Sequence, residues 1–73
     1  LNPRDSYTLH ARGGLLIYRG QLDRAVADLD ASLAVRHDNP SAYYDRAWAH
    51  ALAGRRDLAE KDFFKSGEDA PPL

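Results

Sequence analysis

Between Ser6 and Arg19 the apolar side chains Leu9, Leu15 and Leu16, with the small Gly13 among them, return at the spacing of a helix. Asp5 stands just before this run, where a short carboxylate caps a first turn. Gly20 breaks the pattern. Beyond it Leu22, Ala25, Val26, Leu29 and Leu33 fall three or four apart and form one apolar stripe down a second helix. A link of about two residues forces neighbouring helices to run antiparallel. His37-Asp38-Asn39-Pro40 then ends the second helix, because proline disfavours helical geometry in the residue before it yet is welcome at the first position of the next helix, here capped by Asn39. A third helix is expected from about Pro40 to Ala53. Gly54 turns the chain again, and Leu58, Ala59 and Phe63 mark a fourth from about Arg56 to Ser66, which Gly67 and Pro71-Pro72 stop.

The pattern repeats. Laid over itself at an offset of 34, the chain pairs Arg12 with Arg46, Gly20 with Gly54, Asp23 with Asp57, Ala25 with Ala59, Asp28 with Asp62 and Ser32 with Ser66. Chance would give about two identities. Two helical hairpins in tandem follow, in which a side chain larger than methyl at Gly13, Ala25, Ala47 or Ala59 would hold the paired helices apart. Ser32 and Ser66 recur, on this reading, because a small residue fits there. Arg12 with Asp28, and Arg46 with Asp62, lie on facing helices of one hairpin, so each pair is expected to close its own repeat with a salt bridge.

Composition narrows the function classes. A chain of 73 residues makes one domain at most and hides only about 60% of its unfolded surface, so its stability is expected to be marginal. It has no cysteine, which removes disulfides and thiolate metal sites. The net charge of −1, with acids and bases interspersed, offers no positive field for nucleic acid. No run approaches the roughly 18 apolar residues of a membrane span. His10, His37 and His50 are scattered without metal-ligand spacing, and no serine has a neighbouring histidine in sequence, so neither a metal site nor a nucleophile is expected. No cofactor is implied. Gly13-Gly14 follows no strand and reads as close packing rather than a phosphate loop.

Together these residues resemble the tetratricopeptide repeat family over essentially the whole chain. With the family's central glycine set on Gly20 and Gly54, its small crossing residues fall on Gly13 with Ala25 and on Ala47 with Ala59. Its bulky position in the first helix falls on Leu9 and Tyr43, and its large position in the second on Leu29 and Phe63. Tyr43-Tyr44-Asp45-Arg46-Ala47 followed by Ala59-Glu60-Lys61-Asp62-Phe63 is similar to a common sub-pattern of the family. Departures include His37 at the family's proline position, and Arg56, Glu60 and Gly67 where the first copy has Leu22, Val26 and Leu33. The fourth helix is thereby more polar than the second, as the end of an array must be. The resemblance implies an all-α fold, a fragment of an α-solenoid made of two stacked antiparallel helix–turn–helix hairpins. Residues 1–5 would be the tail of a preceding repeat or a linker, with Leu1-Asn2-Pro3 matching the close of a repeat. Residues 6–39 would be the first repeat, and residues 40–73 the second, with a polar, partly disordered C-terminal end. A chain that begins mid-array is expected to be a fragment of a longer protein or a processed product.

In this family the first helix of each hairpin lines a concave face. The side chains implied there are Tyr7, His10, Ala11, Gly14 and Tyr18 from the first copy and Ser41, Tyr44, Asp45, Trp48 and Leu52 from the second. Such aromatics suit a peptide-binding surface, or else Trp48 and Tyr18 simply pack between helices. Some relatives clamp a carboxyl terminus with lysines and asparagines, but the matching positions here hold His10, Gly14 and Asp45, which disfavours an acidic tail. The expected function is a non-catalytic interaction module for a peptide or protein segment, in the cytoplasm. The alternative is structural: self-association, including a homodimer that buries Trp48 and Tyr44, or spacing of other domains. RNA-binding helical repeats use a basic groove that this face lacks.

Overall fold

The computed structural model describes residues 5–67. The expectations for Leu1-Asn2-Pro3 and for the polar end with Pro71-Pro72 lie outside the described residues. Among these residues the fold is all-α: α1 (Ser6–Tyr18), α2 (Leu22–Val35), α3 (Pro40–Leu52) and α4 (Arg56–Ser66). The starts of α1 and α3, and of α2 and α4, are separated by the same 34 residues as the sequence repeat. α1 packs along α2 and α3 along α4, giving two hairpins, and α2 packs on α3 to join them.

Local chemistry sets the boundaries. The Asp5 carboxylate accepts the Tyr7 N–H at 2.7 Å, and the Asn39 side chain, 34 residues on, accepts the Ala42 N–H at 3.4 Å ahead of Pro40 at N1. Arg19 and Ala53, expected as last helical residues, are instead the C-caps of α1 and α3. Gly20 and Gly54 follow them in the left-handed region, with φ of 76° and 83°. In each turn the glycine N–H bonds the carbonyl three residues back (Ile17, Ala51). The next residue's N–H bonds the carbonyl five back, Gln21 to Leu16 at 2.9 Å and Arg55 to His50 at 2.8 Å. This pair of bonds is the Schellman closure, which satisfies carbonyls that a helix end would otherwise leave open.

Ala25, Ala47 and Ala59 are fully buried at the helix crossings, and Gly13 is buried beside them. One core cluster joins Leu29 and Leu33 of α2 to Ala42 of α3, with Ile17 and Tyr43 packed on it, and so glues the hairpins together. A second, within the other hairpin, joins Ala47, Ala59 and Phe63, with Trp48 and Ala51 against it. α1 touches α3 directly whereas α2 and α4 make no contact, so the hairpins lean together on the α1/α3 side. The Cα envelope measures 37 × 25 × 13 Å, and its short axis holds only two helix layers about 8–10 Å apart.

Candidate functional site

On the inner side, α1 and α3 form a shallow groove of about 440 Å³ lined by Tyr7, His10, Ala11, Gly14, Leu15 and Tyr18 of α1 and Asp45 of α3. Residues 7, 11, 14 and 18 follow the three-and-four spacing that places side chains on one helix face. Ala11 and Gly14 are small and make the floor. Tyr7 and Tyr18 stand at its two ends, 77% and 91% exposed. Asp45 also borders a second groove of about 310 Å³, with Pro40, Ser41, Tyr44 and Ser66, so the two depressions adjoin at this carboxylate. Neither groove includes Trp48 or Leu52.

His10 fixes the relation between α1 and α3. Its Nε2 lies 2.8 Å from Asp45 Oδ2, and its Nδ1 lies 3.4 Å from Asn39 Nδ2. An Asn39 amide that donates to Nδ1 leaves the proton on Nε2, where it is donated to Asp45. The same Asn39 orientation turns Oδ1 toward the Ala42 N–H that it caps. Both ring nitrogens are thus held by contacts that orient helices. No group of three or more His, Asp or Glu placed to hold a metal ion occurs among the described residues, and no helix among them is long and apolar enough to cross a membrane.

The remaining aromatics divide into packed and free. Trp48 meets the buried Phe63 edge-on, with centroids 5.5 Å apart and planes at 88°, and Tyr44 meets Phe63 at 5.6 Å and Trp48 at 6.4 Å. Packing therefore accounts for Trp48 and for much of Tyr44, but not for Tyr18. Leu52 is exposed at the end of α3. Leu15, placed by its sequence periodicity among the apolar residues of the first helix, is instead an exposed wall of the groove, because the buried positions of α1 are Leu9, Gly13 and Leu16 and Leu15 falls off that face.

Behind the groove, the two expected ion pairs are bidentate. Arg12 Nε and Nη2 donate to Asp28 at 2.6 and 2.9 Å, and Arg46 Nε and Nη2 donate to Asp62 at 2.7 and 2.9 Å. The hydrogen bonds to Asp28 and to Asp62 hold both guanidinium pKa values above their ordinary value. Sequence reading missed a third bond: Arg46 Nη1 donates to Asp30 Oδ1 at 2.8 Å and ties the second hairpin to the first. Repetition hid it, because the residue 34 beyond Asp30 is Phe64. It also missed the role of Ser32, which is fully buried, donates to the Ser6 carbonyl at 2.8 Å and lies 3.0 Å from the Ser6 hydroxyl. Smallness alone does not explain Ser32; its hydroxyl joins the start of α1 to the end of α2. Ser66 instead donates to the Phe63 carbonyl at 2.6 Å, since Pro40 stands where Ser6 would be.

His50 is buried at the position that Leu16 holds in the first hairpin. Arg55 Nε donates to its Nδ1 at 3.0 Å, and Asp62 lies 3.9 Å from its Nε2. Burial, followed by the nearby Arg55 charge, lowers its pKa below the ordinary imidazole value. Comparison with protein-family models, with curated proteins and with solved structures finds no match to this chain.

Proposed function

We propose that the chain is a pair of tetratricopeptide-type repeats acting as a non-catalytic interaction module, and that it binds an extended peptide or protein segment along the α1/α3 face. The observation that carries this reading is the open groove in which Tyr7 and Tyr18 stand free at either end of the Ala11 and Gly14 floor. Tyrosine offers a large apolar ring and a polar tip at little entropic cost, which is why it recurs at binding hot spots. A small floor admits a main chain, while His10, its two ring nitrogens held by Asn39 and Asp45, gives the groove a fixed wall. Asp45 adds negative charge and works against a partner's free carboxylate. The ligand is accordingly an internal segment rather than an acidic terminus.

A random peptide library displayed on phage and panned on the chain tests the reading. Enriched peptides, synthesised with a fluorophore and titrated by polarisation, are expected to bind at least about tenfold more weakly to the Tyr7→Ala, Tyr18→Ala double variant, the scale of one hot-spot contact. Lys61→Ala, on α4 outside both grooves, leaves their affinity unchanged. Enriched peptides indifferent to the double substitution would refute the groove as the site.

A further inference from the structure

Asp45 is the one carboxylate lining the groove, and no lysine or arginine among the described residues meets it. Asp28, Asp30 and Asp62 each bond an arginine, whereas Asp45 bonds only the His10 imidazole. An imidazole that accepts at Nδ1 and donates from Nε2 is neutral, so Asp45 keeps its full negative charge. Its Oδ1 has no hydrogen-bond partner among the described residues. The side chain is 34% exposed, reachable yet partly withdrawn from water, where a charge is screened less than on an open surface. Neither depression that borders this carboxylate is lined by a basic side chain among the described residues.

Its place in the groove is as informative as its charge. Asp45 Oδ2 lies 2.8 Å from His10 Nε2 and 3.7 Å from where a Cβ on Gly14 would stand, so the carboxylate sits over the stretch between these two α1 residues. At a rise of about 1.5 Å per residue, Tyr7 and Tyr18 stand about 16 Å apart along α1, and His10 and Gly14 straddle the middle. An extended chain covers that length with about five residues, of which the first, third and fifth point their side chains to one side.

We propose that the segment bound in this groove carries a lysine or arginine at its centre, held by Asp45, with an apolar side chain two residues away on either side against Tyr7 and Tyr18. The inference rests on the peptide reading above and adds the chemistry of the ligand. Gly14, having no side chain, leaves room for a cationic head to approach the carboxylate from the floor. The methylene stem lies along Ala11 and the Leu15 wall, and the charged end bonds Oδ1. A neutral side chain at the same place leaves the charge unpaired, and an acidic one is repelled, so one residue both attracts the right segment and rejects the wrong ones.

Polarisation titrations with pools of labelled peptides provide the test. Each pool is nine residues long and blocked at both ends, with leucine third and seventh, one fixed central residue and mixed uncharged residues elsewhere. Pools with central arginine or lysine are expected to bind at least about tenfold tighter than the norleucine pool, the scale of one hydrogen bond to a charged group, and the glutamate pool weakest of all. Moving the arginine one place along turns it away from the groove and removes the gain. Asp45→Asn, whose amide oxygen still accepts from His10, removes the arginine advantage and leaves the norleucine pool's affinity unchanged, with circular dichroism verifying the helices. Equal binding of the arginine and norleucine pools, both weakened by the Tyr7→Ala, Tyr18→Ala double substitution, overturns the proposal and leaves the groove standing. An arginine advantage that survives in Asp45→Asn or in the shifted pool also overturns it, since the attraction then belongs to the chain at large. If no pool binds while the phage-selected peptides do, the proposal alone falls; if neither binds, the groove falls with it.

Discussion

Gly13 and Gly14 are neighbours in one helix, and adding the same methyl group to each should move stability in opposite directions. Helix propensity alone favours alanine over glycine by roughly 0.5–1 kcal/mol at both positions. At Gly14 nothing opposes this gain: an added Cβ lies 3.7 Å from Asp45 Oδ2, an ordinary contact. At Gly13 the Cβ would lie 2.7 Å from Leu29 Cγ, 2.9 Å from Leu29 Cδ2 and 3.4 Å from the Ala25 carbonyl oxygen. Leu29 is fully buried in the cluster that joins the hairpins, so it cannot swing aside without displacing Leu33, Ala42, Ile17 or Tyr43. Overpacking of this kind costs about 1–3 kcal/mol, which exceeds the propensity gain and leaves a net loss of about 1–2 kcal/mol. Thermal melts followed at 222 nm should show Gly14→Ala melting about 4 °C higher and Gly13→Ala about 5–10 °C lower, at the sensitivity of a domain this small. A rise for both variants would mean that the helices of the first hairpin do not approach closely at Gly13, and the small-residue crossing would be wrong.

Urea titration should separate the two arginines. Arg46→Ala leaves the buried Asp62 without its fork and removes the Asp30 tie between hairpins, a loss of about 3 kcal/mol on the scale for breaking a buried pair. Arg12→Ala should lower the midpoint far less, and equal losses would contradict the hub role of Arg46. Ser32→Ala is expected to destabilise by about 1–2 kcal/mol through the loss of its bonds to Ser6, and a neutral result in the same titration would show that only its size matters. Neutral His50 is favoured by folding, so its contribution is complete above the unfolded value of about 6.5 and is lost as pH falls through the depressed folded value. Melting temperature should therefore decline from pH 7 toward pH 5.5, and His50→Leu, which installs the residue found at position 16, should flatten that slope; an unchanged slope would remove His50 as its source.

Helix positions were legible in the sequence because their causes are local. The caps Asp5 and Asn39, the glycines that must adopt positive φ and the apolar spacing each act within a turn or two of the chain. The crossings were legible for a related reason, since a row of residues no larger than alanine has few explanations other than close approach. Within the groove, the identity of the α1 face could be read from spacing, but the accessibility of each ring could not. Tyr18 and Trp48 both fall by spacing on the first-helix face of their hairpins and have opposite fates, because Phe63 stands beside Trp48, whereas Tyr18, at the end of α1, is left 91% exposed. Leu15 was misplaced for the complementary reason: periodicity reports that a residue is apolar, not whether a neighbour exists to cover it.

The sequence by itself determined two tandem helical hairpins, their turns and the pairs Arg12–Asp28 and Arg46–Asp62, which the repeat displays twice. Only the tertiary structure decided that Arg46 also reaches Asp30, that Asn39 and Asp45 hold His10 from both sides, and that Ser32 bonds Ser6. These contacts join residues 16 to 35 positions apart, and they occur once each. A periodic pattern records what every copy must share to fold; a contact made only once depends on how one hairpin is set against its neighbour, and that orientation exists only after the chain has packed.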